Sequence, residues 1–218
     1  MFRPWRSAAL PLAATFLLAA AACTNGDDTT APPTNAPVDS VTDVGAAPTA
    51  PAGGRRVVII GDSISFGTQE EYPLAMPNDD VQVIATPGIR LGAQRGEITK
   101  AVAERPDVLV IELGTNDVPV YTPAFLDEID EVLDETDDLP CVVWVNVFVS
   151  KFAASAEDVN DHLAEAADDH ANLQIVDWFT LVDDDPSLLE ADGLHPNEDG
   201  QGVLALAVAT AASHCGDA

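Results

Sequence analysis

Three observations predict that this chain folds as an α/β domain around a mostly parallel, doubly wound sheet. Short runs rich in β-branched residues recur over residues 55–218, separated by stretches whose apolar residues fall at helical spacing. Within the runs the apolar residues are nearly continuous rather than alternating, as in parallel strands covered on both faces. The residues with chemical character sit in loops directly after those runs, where open α/β sheets hold their ligands.

The chain begins with an export-type segment, residues 1–22, in which Arg3 and Arg6 precede an apolar run rich in Leu and Ala. The run is short and interrupted by Pro11, which argues against a permanent membrane span. It ends in Ala20, Ala21 and Ala22 directly before Cys23, which resembles the lipobox of bacterial lipoproteins, where the cysteine is lipidated and becomes the new N-terminus. Position 20 is Ala where that motif prefers Leu, so cleavage with full secretion remains open beside a lipid anchor at Cys23. Residues 23–54 are expected to be a disordered tether. Beyond Cys23 they hold Thr, Pro, Ala, Gly and Asp with no aromatic residue and no Leu, Ile or Met, too little apolar surface to fold.

Residues 55–218 then form one domain. Runs at 57–60, 81–84, 108–113, 142–148 and 173–176 are the expected strands. Pro123, after Thr122, is placed to open a helix carrying Phe125, Ile129, Val132 and Leu133 on one face. Ser155 with Asp158 resembles a capping box opening a helix through Leu163 and Ala166. A last helix, rich in Ala, Val and Leu, is expected from about Glu198 to Ser213.

Composition narrows the function. With 47% hydrophobic residues the chain can build a core, and its 9 Lys+Arg against 37 Asp+Glu give a formal charge of −28. So acidic a chain repels phosphate backbones and anionic headgroups, which excludes nucleic acid as a partner and leaves the membrane to the N-terminal anchor alone. No cluster of His, Cys and carboxylates has metal-ligand spacing.

The loops after the strands carry Gly61-Asp62-Ser63-Ile64-Ser65, Pro87-Gly88, Gly114-Thr115-Asn116-Asp117 and Asp192-Gly193-Leu194-His195-Pro196. A serine, a carboxylate, a histidine, an amide and a permissive glycine would converge on one sheet edge. These blocks, in this order, resemble the four conserved blocks of the SGNH (GDSL-like) hydrolase family over the whole domain. The resemblance implies a flavodoxin-like three-layer α/β/α fold with a five-stranded sheet, acyl transfer on serine, and no cofactor or metal. It also implies residue roles: Ser63 as nucleophile, His195 as its base, Asp192 orienting His195, and an oxyanion hole from the Ser63 and Gly88 backbone N–H groups with the Asn116 amide. Gly92 also follows the second strand, and Gly88 is preferred because it lies nearer the strand end.

The other polar residues have plainer readings. Ser65 reads as a helix-start or packing residue, Asp62 and Asp117 as caps of turn N–H groups, and His162, His170 and His214 as solvated helix positions. Asp177-Trp178 resembles a pair found in some bacterial members of the family, with packing the safer reading, and Arg90 is a candidate contact for an anionic substrate group. Cys141 opens the fourth strand, and the last helix runs back from His195 to place Cys215 at the same far edge, so a Cys141–Cys215 disulfide is expected in an exported chain.

The reading is therefore of an exported serine esterase, lipid-anchored at a bacterial cell surface or secreted, and a monomer. Its expected substrate is a small-molecule or glycan ester with a short acyl chain. The alternatives are a cell-wall glycan O-acyltransferase using the same triad and a catalytically silent binding module.

Overall fold

The computed structural model describes residues 54–215. The export segment, Cys23 and the tether up to residue 53 lie outside the described residues. Five strands, β1 (Arg56–Gly61), β2 (Asp80–Ala85), β3 (Val108–Glu112), β4 (Val142–Val145) and β5 (Leu173–Val176), form one sheet in the order β2-β1-β3-β4-β5. Every pairing is parallel, and the register runs from Val57 beside Val81 and Val108 to Val145 beside Val176.

The helices are α1 (Ser63–Thr68), α2 (Glu71–Ala75), α3 (Leu91–Glu104), α4 (Ala124–Thr136), α5 (Ala153–Asp169), α6 (Trp178–Asp184) and α7 (Glu198–His214). Because successive strand residues point to opposite faces, the sheet feeds two cores. Val58, Ile60, Leu109, Ile111 and Trp144 pack with Leu91, Ile98, Ile129, Val132 and Leu163 of α3, α4 and α5. Val57, Ile59, Val110, Val143 and Val145 pack with Ile64, Tyr72, Trp178, Leu204 and Val208 of α1, α2, α6 and α7. This double coverage is the reason the strands are continuously apolar, and β3 is buried at every position.

Two boundaries differ by more than one residue from those expected. β4 stops at Val145 because the next turn is satisfied by side chains: Asn160 accepts from the Val147 N–H (2.9 Å) and donates to the Val147 carbonyl (2.9 Å), taking the place of a neighbouring strand. α5 begins at Ala153, not Ser155, and no side chain caps it; a 3₁₀ turn at Ser150–Phe152 leads the chain directly into the helix. Ser155 and Asp158 are therefore interior helix residues rather than a capping box. Pro123 stands just before α4, where its missing N–H is not needed.

The Cys141 and Cys215 sulfurs are bonded, with Cα atoms 5.5 Å apart. Cys141 directly precedes β4 and Cys215 directly follows α7, so the link lies at the amino edge of the sheet, away from the loops described next.

Candidate active site

The strand order gathers the site. β1 lies between β2 and β3, so the loops following these three strands are neighbours at the carboxyl edge, at the point where the chain's crossovers change sides.

At the end of β1, Gly61 is required by space: a Cβ there would stand 2.1 Å from Ser65 Oγ. Asp62 turns the chain out of the sheet and caps α1, its Oδ1 accepting from the Ile64 N–H at 2.9 Å. Ser63 is thereby the first residue of α1, held at the sheet edge. After β3, Gly114 has φ +120, and its carbonyl accepts from the Asp117 N–H (2.9 Å) in a tight turn that presents Asn116. Asn116 Nδ2 donates to Asp62 Oδ2 (2.7 Å) and to the Ile89 carbonyl (3.0 Å), tying all three loops together. Gly88, with φ +75, directly precedes Ile89 in the turn after β2.

The fourth loop does not directly follow β5 as expected: α6 intervenes, and the loop lies between a 3₁₀ turn at Pro186–Leu188 and α7. Asp192 organises it: Oδ1 accepts from the Leu194 (2.9 Å) and His195 (3.1 Å) N–H groups, and Oδ2 lies 2.7 Å from His195 Nδ1. His195 Nε2 then reaches Ser63 Oγ at 3.0 Å. Asn197 caps α7 through the Gly200 N–H and also donates to the Ser187 carbonyl (2.7 Å), fixing where the loop enters the helix.

The electrostatics follow from these contacts. The hydrogen bond from His195, with the two backbone N–H donors, holds the Asp192 carboxyl down at about 2, so it is an anion at neutral pH. An anion opposite Nδ1 places the imidazole proton on Nδ1 and leaves Nε2 as an acceptor for the Ser63 hydroxyl. Burial acts oppositely on the other acids. It pushes Asp62 up to about 6 against the bond from Ile64 and the nearby His195, and it pushes Asp117 up to about 6 against the Leu91 N–H.

Ser63, Asp192, His195, Asn116 and Gly88 thus meet at one edge, and other candidates lie elsewhere. Gly92 is inside α3 and faces Glu128 of α4. Ser65 is wholly buried and donates to Glu112 rather than facing solvent. Asp62 and Asp117 each accept a backbone N–H, as turn caps do. His162 and His170 are not simply solvated: each pairs with an aspartate near α4, Asp130 and Asp137, at 2.6 Å. Trp178 is core, whereas Asp177 caps α6 and accepts from Asn146 (2.8 Å). Arg90 lines an outer cleft with Asp117, Val120 and Glu128.

Sequence reasoning missed two groups. Asn146 couples the ends of β4 and β5 through Asp177 and the Phe179 N–H (2.8 Å). Glu112 is a carboxyl with 3% exposure under the Ser63 loop; its one trace in the sequence is an acid closing an otherwise apolar strand.

No curated protein matches the chain. Among solved structures, the catalytic domain of peptidoglycan O-acetyltransferase A from Streptococcus pneumoniae, carrying a methylsulfonyl adduct, is similar with a TM-score of 0.63 at 20% identity, over 75% of this chain and 96% of that one. A GDSL-like lipase from Bacteroides thetaiotaomicron aligns with a TM-score of 0.61 at 18% identity, over 73% and 88% respectively. A psychrotrophic esterase from Pseudoalteromonas sp. aligns with a TM-score of 0.58 at 15% identity, over 73% and 97%. At these identities the likeness speaks for the fold, whereas the model of the GDSL-like lipase/acylhydrolase family matches residues 59–203, most of the sequence. The chain belongs to that family and is a serine hydrolase.

Proposed function

We propose that the protein is an exported esterase that removes short acyl groups, acetyl above all, from small-molecule or carbohydrate O-esters through an acyl-enzyme on Ser63. The observation that carries this reading is the continuous path from Asp192 Oδ2 through His195 to Ser63 Oγ, with steps of 2.7 and 3.0 Å. Ser63 Oγ attacks the ester carbonyl carbon while its proton passes to His195 Nε2, and the imidazolium is stabilised by the Asp192 anion. The tetrahedral oxyanion is held by the Ser63 and Gly88 N–H groups and by Asn116. The Asn116 hydrogen now on the Ile89 carbonyl turns to it, while the other stays on Asp62. When the ester C–O bond breaks, the proton on His195 goes to the departing alcohol. Water, deprotonated by the same imidazole, then releases the acid and restores Ser63.

The acceptor in the second half-reaction defines the second reading. The His195 and Asp192 side chains are 38% and 52% exposed, which leaves room for a sugar hydroxyl in place of water, and the likeness to a peptidoglycan O-acetyltransferase domain favours a glycan acceptor. Export rests on residues 1–22, and anchoring on lipidation of Cys23. Phenylmethylsulfonyl fluoride followed by peptide mapping tests the nucleophile. A single sulfonyl adduct on Ser63 is expected; an adduct elsewhere, or none under conditions where the protein hydrolyses p-nitrophenyl acetate, refutes it.

A further inference from the structure

Directly beneath the nucleophile lie two acids that the mechanism above does not consume. Asp62 is 0% exposed and Glu112 3%, and Gly61, the residue before Asp62, pairs with Glu112 in the β1–β3 register, so the two acids are neighbours. Glu112 Oε2 accepts both the N–H and the hydroxyl of Ser65, each at 2.8 Å. Asp62 accepts from the Ile64 N–H and from Asn116. No Lys or Arg of the described residues is among the groups that bear on either acid. Those are the His195 imidazole and Asp117, which face Asp62, and the buried Tyr72 phenol of α2, which faces Glu112 and Ser65.

Two neighbouring buried carboxylates without a Lys or Arg beside them do not readily ionise together, because each would pay desolvation and repel the other. One proton is therefore retained, and the surroundings choose its place. Both Asp62 oxygens accept, Oδ1 from Ile64 and Oδ2 from Asn116, and the imidazole is nearby, whereas both bonds from Ser65 to Glu112 fall on Oε2 and leave Oε1 to carry a proton. Burial raises Glu112 well above the usual carboxylate range, in accord with that choice.

We infer that Glu112 works as a neutral carboxylic acid donating to the Asp62 anion, and that this buried pair is a positioning device for the Asn116 oxyanion donor and the Ser63 loop. A neutral Glu112 can accept from Ser65 and donate to Asp62 at once. The Asp62 anion, steadied on that side, keeps Asn116 Nδ2 turned toward the reacting centre. The role in turnover rests on the esterase reading; the protonation state does not.

Glu112→Gln and Glu112→Ala in the full-length protein test it. A glutamine reproduces the neutral group, its carbonyl accepting from Ser65 and its amide donating to Asp62. Glu112→Ala is expected to lower kcat on the order of 10- to 100-fold with KM little changed, part of what loss of a whole oxyanion donor costs. Glu112→Gln is expected to recover kcat to within about threefold of wild type, a rescue that a merely space-filling role does not require. An infrared band of an un-ionised carboxyl at neutral pH should be present in wild type and absent from Glu112→Gln. The Asn116 side-chain amide signal in NMR should shift in Glu112→Ala and return in Glu112→Gln.

Equal damage in folded Glu112→Gln and Glu112→Ala, or full activity in Glu112→Ala, overturns the inference, as does absence of the infrared band. Should Glu112→Ala not fold, the glutamine variant and the band still decide. If wild type hydrolyses no ester, the function reading fails by itself, while the band and the Asn116 signal continue to report on the pair.

Discussion

His195 Nε2 and Ser63 Oγ stand 3.0 Å apart although 132 positions separate them in sequence. A proton moves directly between the two, so they should behave as one unit. Ser63→Ala and His195→Ala are each expected to lower kcat for p-nitrophenyl acetate by about 10⁴-fold or more, and the double variant to lose little beyond either single one. A double variant whose loss equals the product of the single losses is the contrary result.

Asp192→Asn isolates the orienting role. The amide keeps an oxygen for the Leu194 and His195 N–H groups, so the loop should stay folded, with only the small drop in melting temperature that loss of the anion brings. Its NH₂, however, faces Nδ1 and forces the imidazole proton onto Nε2, where it opposes Ser63. A loss of about 10²- to 10⁴-fold in kcat is expected, the lower end because this pair is exposed to water. An active Asp192→Asn enzyme would show that the partner anion is dispensable.

Asn116→Ala should cost about 2.7–4 kcal/mol of transition-state stabilisation, read as a fall of roughly 10²–10³ in kcat with KM nearly unchanged. A change confined to KM would instead make Asn116 a ground-state substrate contact.

The strands were legible because parallel strands buried on both faces leave continuous apolar runs such as Val108 to Ile111, and a run of that kind needs no tertiary information to be seen. α1, α2 and α6 were not, since five to seven residues give too few turns for a periodicity. α3 hides for another reason: with Gly92 and Gly96 in it, and Gln94 buried, its apolar stripe is thin. The blocks at Ser63, Gly88 and Asn116 were readable because each closes a strand, whereas Asp192 and His195 lie beyond α6 and a 3₁₀ turn and were marked by the family resemblance alone. Glu112 was not readable, because an acid after four apolar residues reads equally well as the point where a strand meets solvent. Only the fold brings Ser65 and Asp62 over it and makes it a buried group.

The Cys141–Cys215 link closes a loop with a sequence separation of 74, for which chain entropy gives a contribution of about 4 kcal/mol. It sits at the edge opposite Ser63. Reduction is therefore expected to lower the melting temperature by about 8–16 °C while leaving ester turnover at 25 °C within about twofold. Parallel loss of activity at a temperature where circular dichroism shows a folded protein would mean that the link supports the site itself.

Acidity should stabilise this protein before it harms it. Asp62 and Asp117 are raised from 3.8 to about 6 by burial, so between these values the folded state binds more protons than the unfolded chain. Their contribution is complete below about pH 4 and is lost as pH rises through 6. Asp192 has the opposite sign: lowered to about 2, it contributes above about pH 4 and the contribution disappears as pH falls toward 2. The formal charge of −28 also repels itself less as carboxyls protonate. The melting temperature should consequently rise between pH 7.5 and 5 and fall below about pH 3.5. Activity should move the other way over the upper interval, since protonating Asp62 loosens Asn116. Asp117→Asn separates the two effects. The asparagine keeps an acceptor for the Leu91 N–H without a charge to bury, so at pH 7.5 it should melt roughly 2–4 °C higher than wild type, about 1 kcal/mol in a domain of this size, with a shallower rise on acidification. If Asp117→Asn lowers the melting temperature at pH 7.5, or leaves the slope between pH 7.5 and 5 unchanged, Asp117 is not a source of the acid stabilisation.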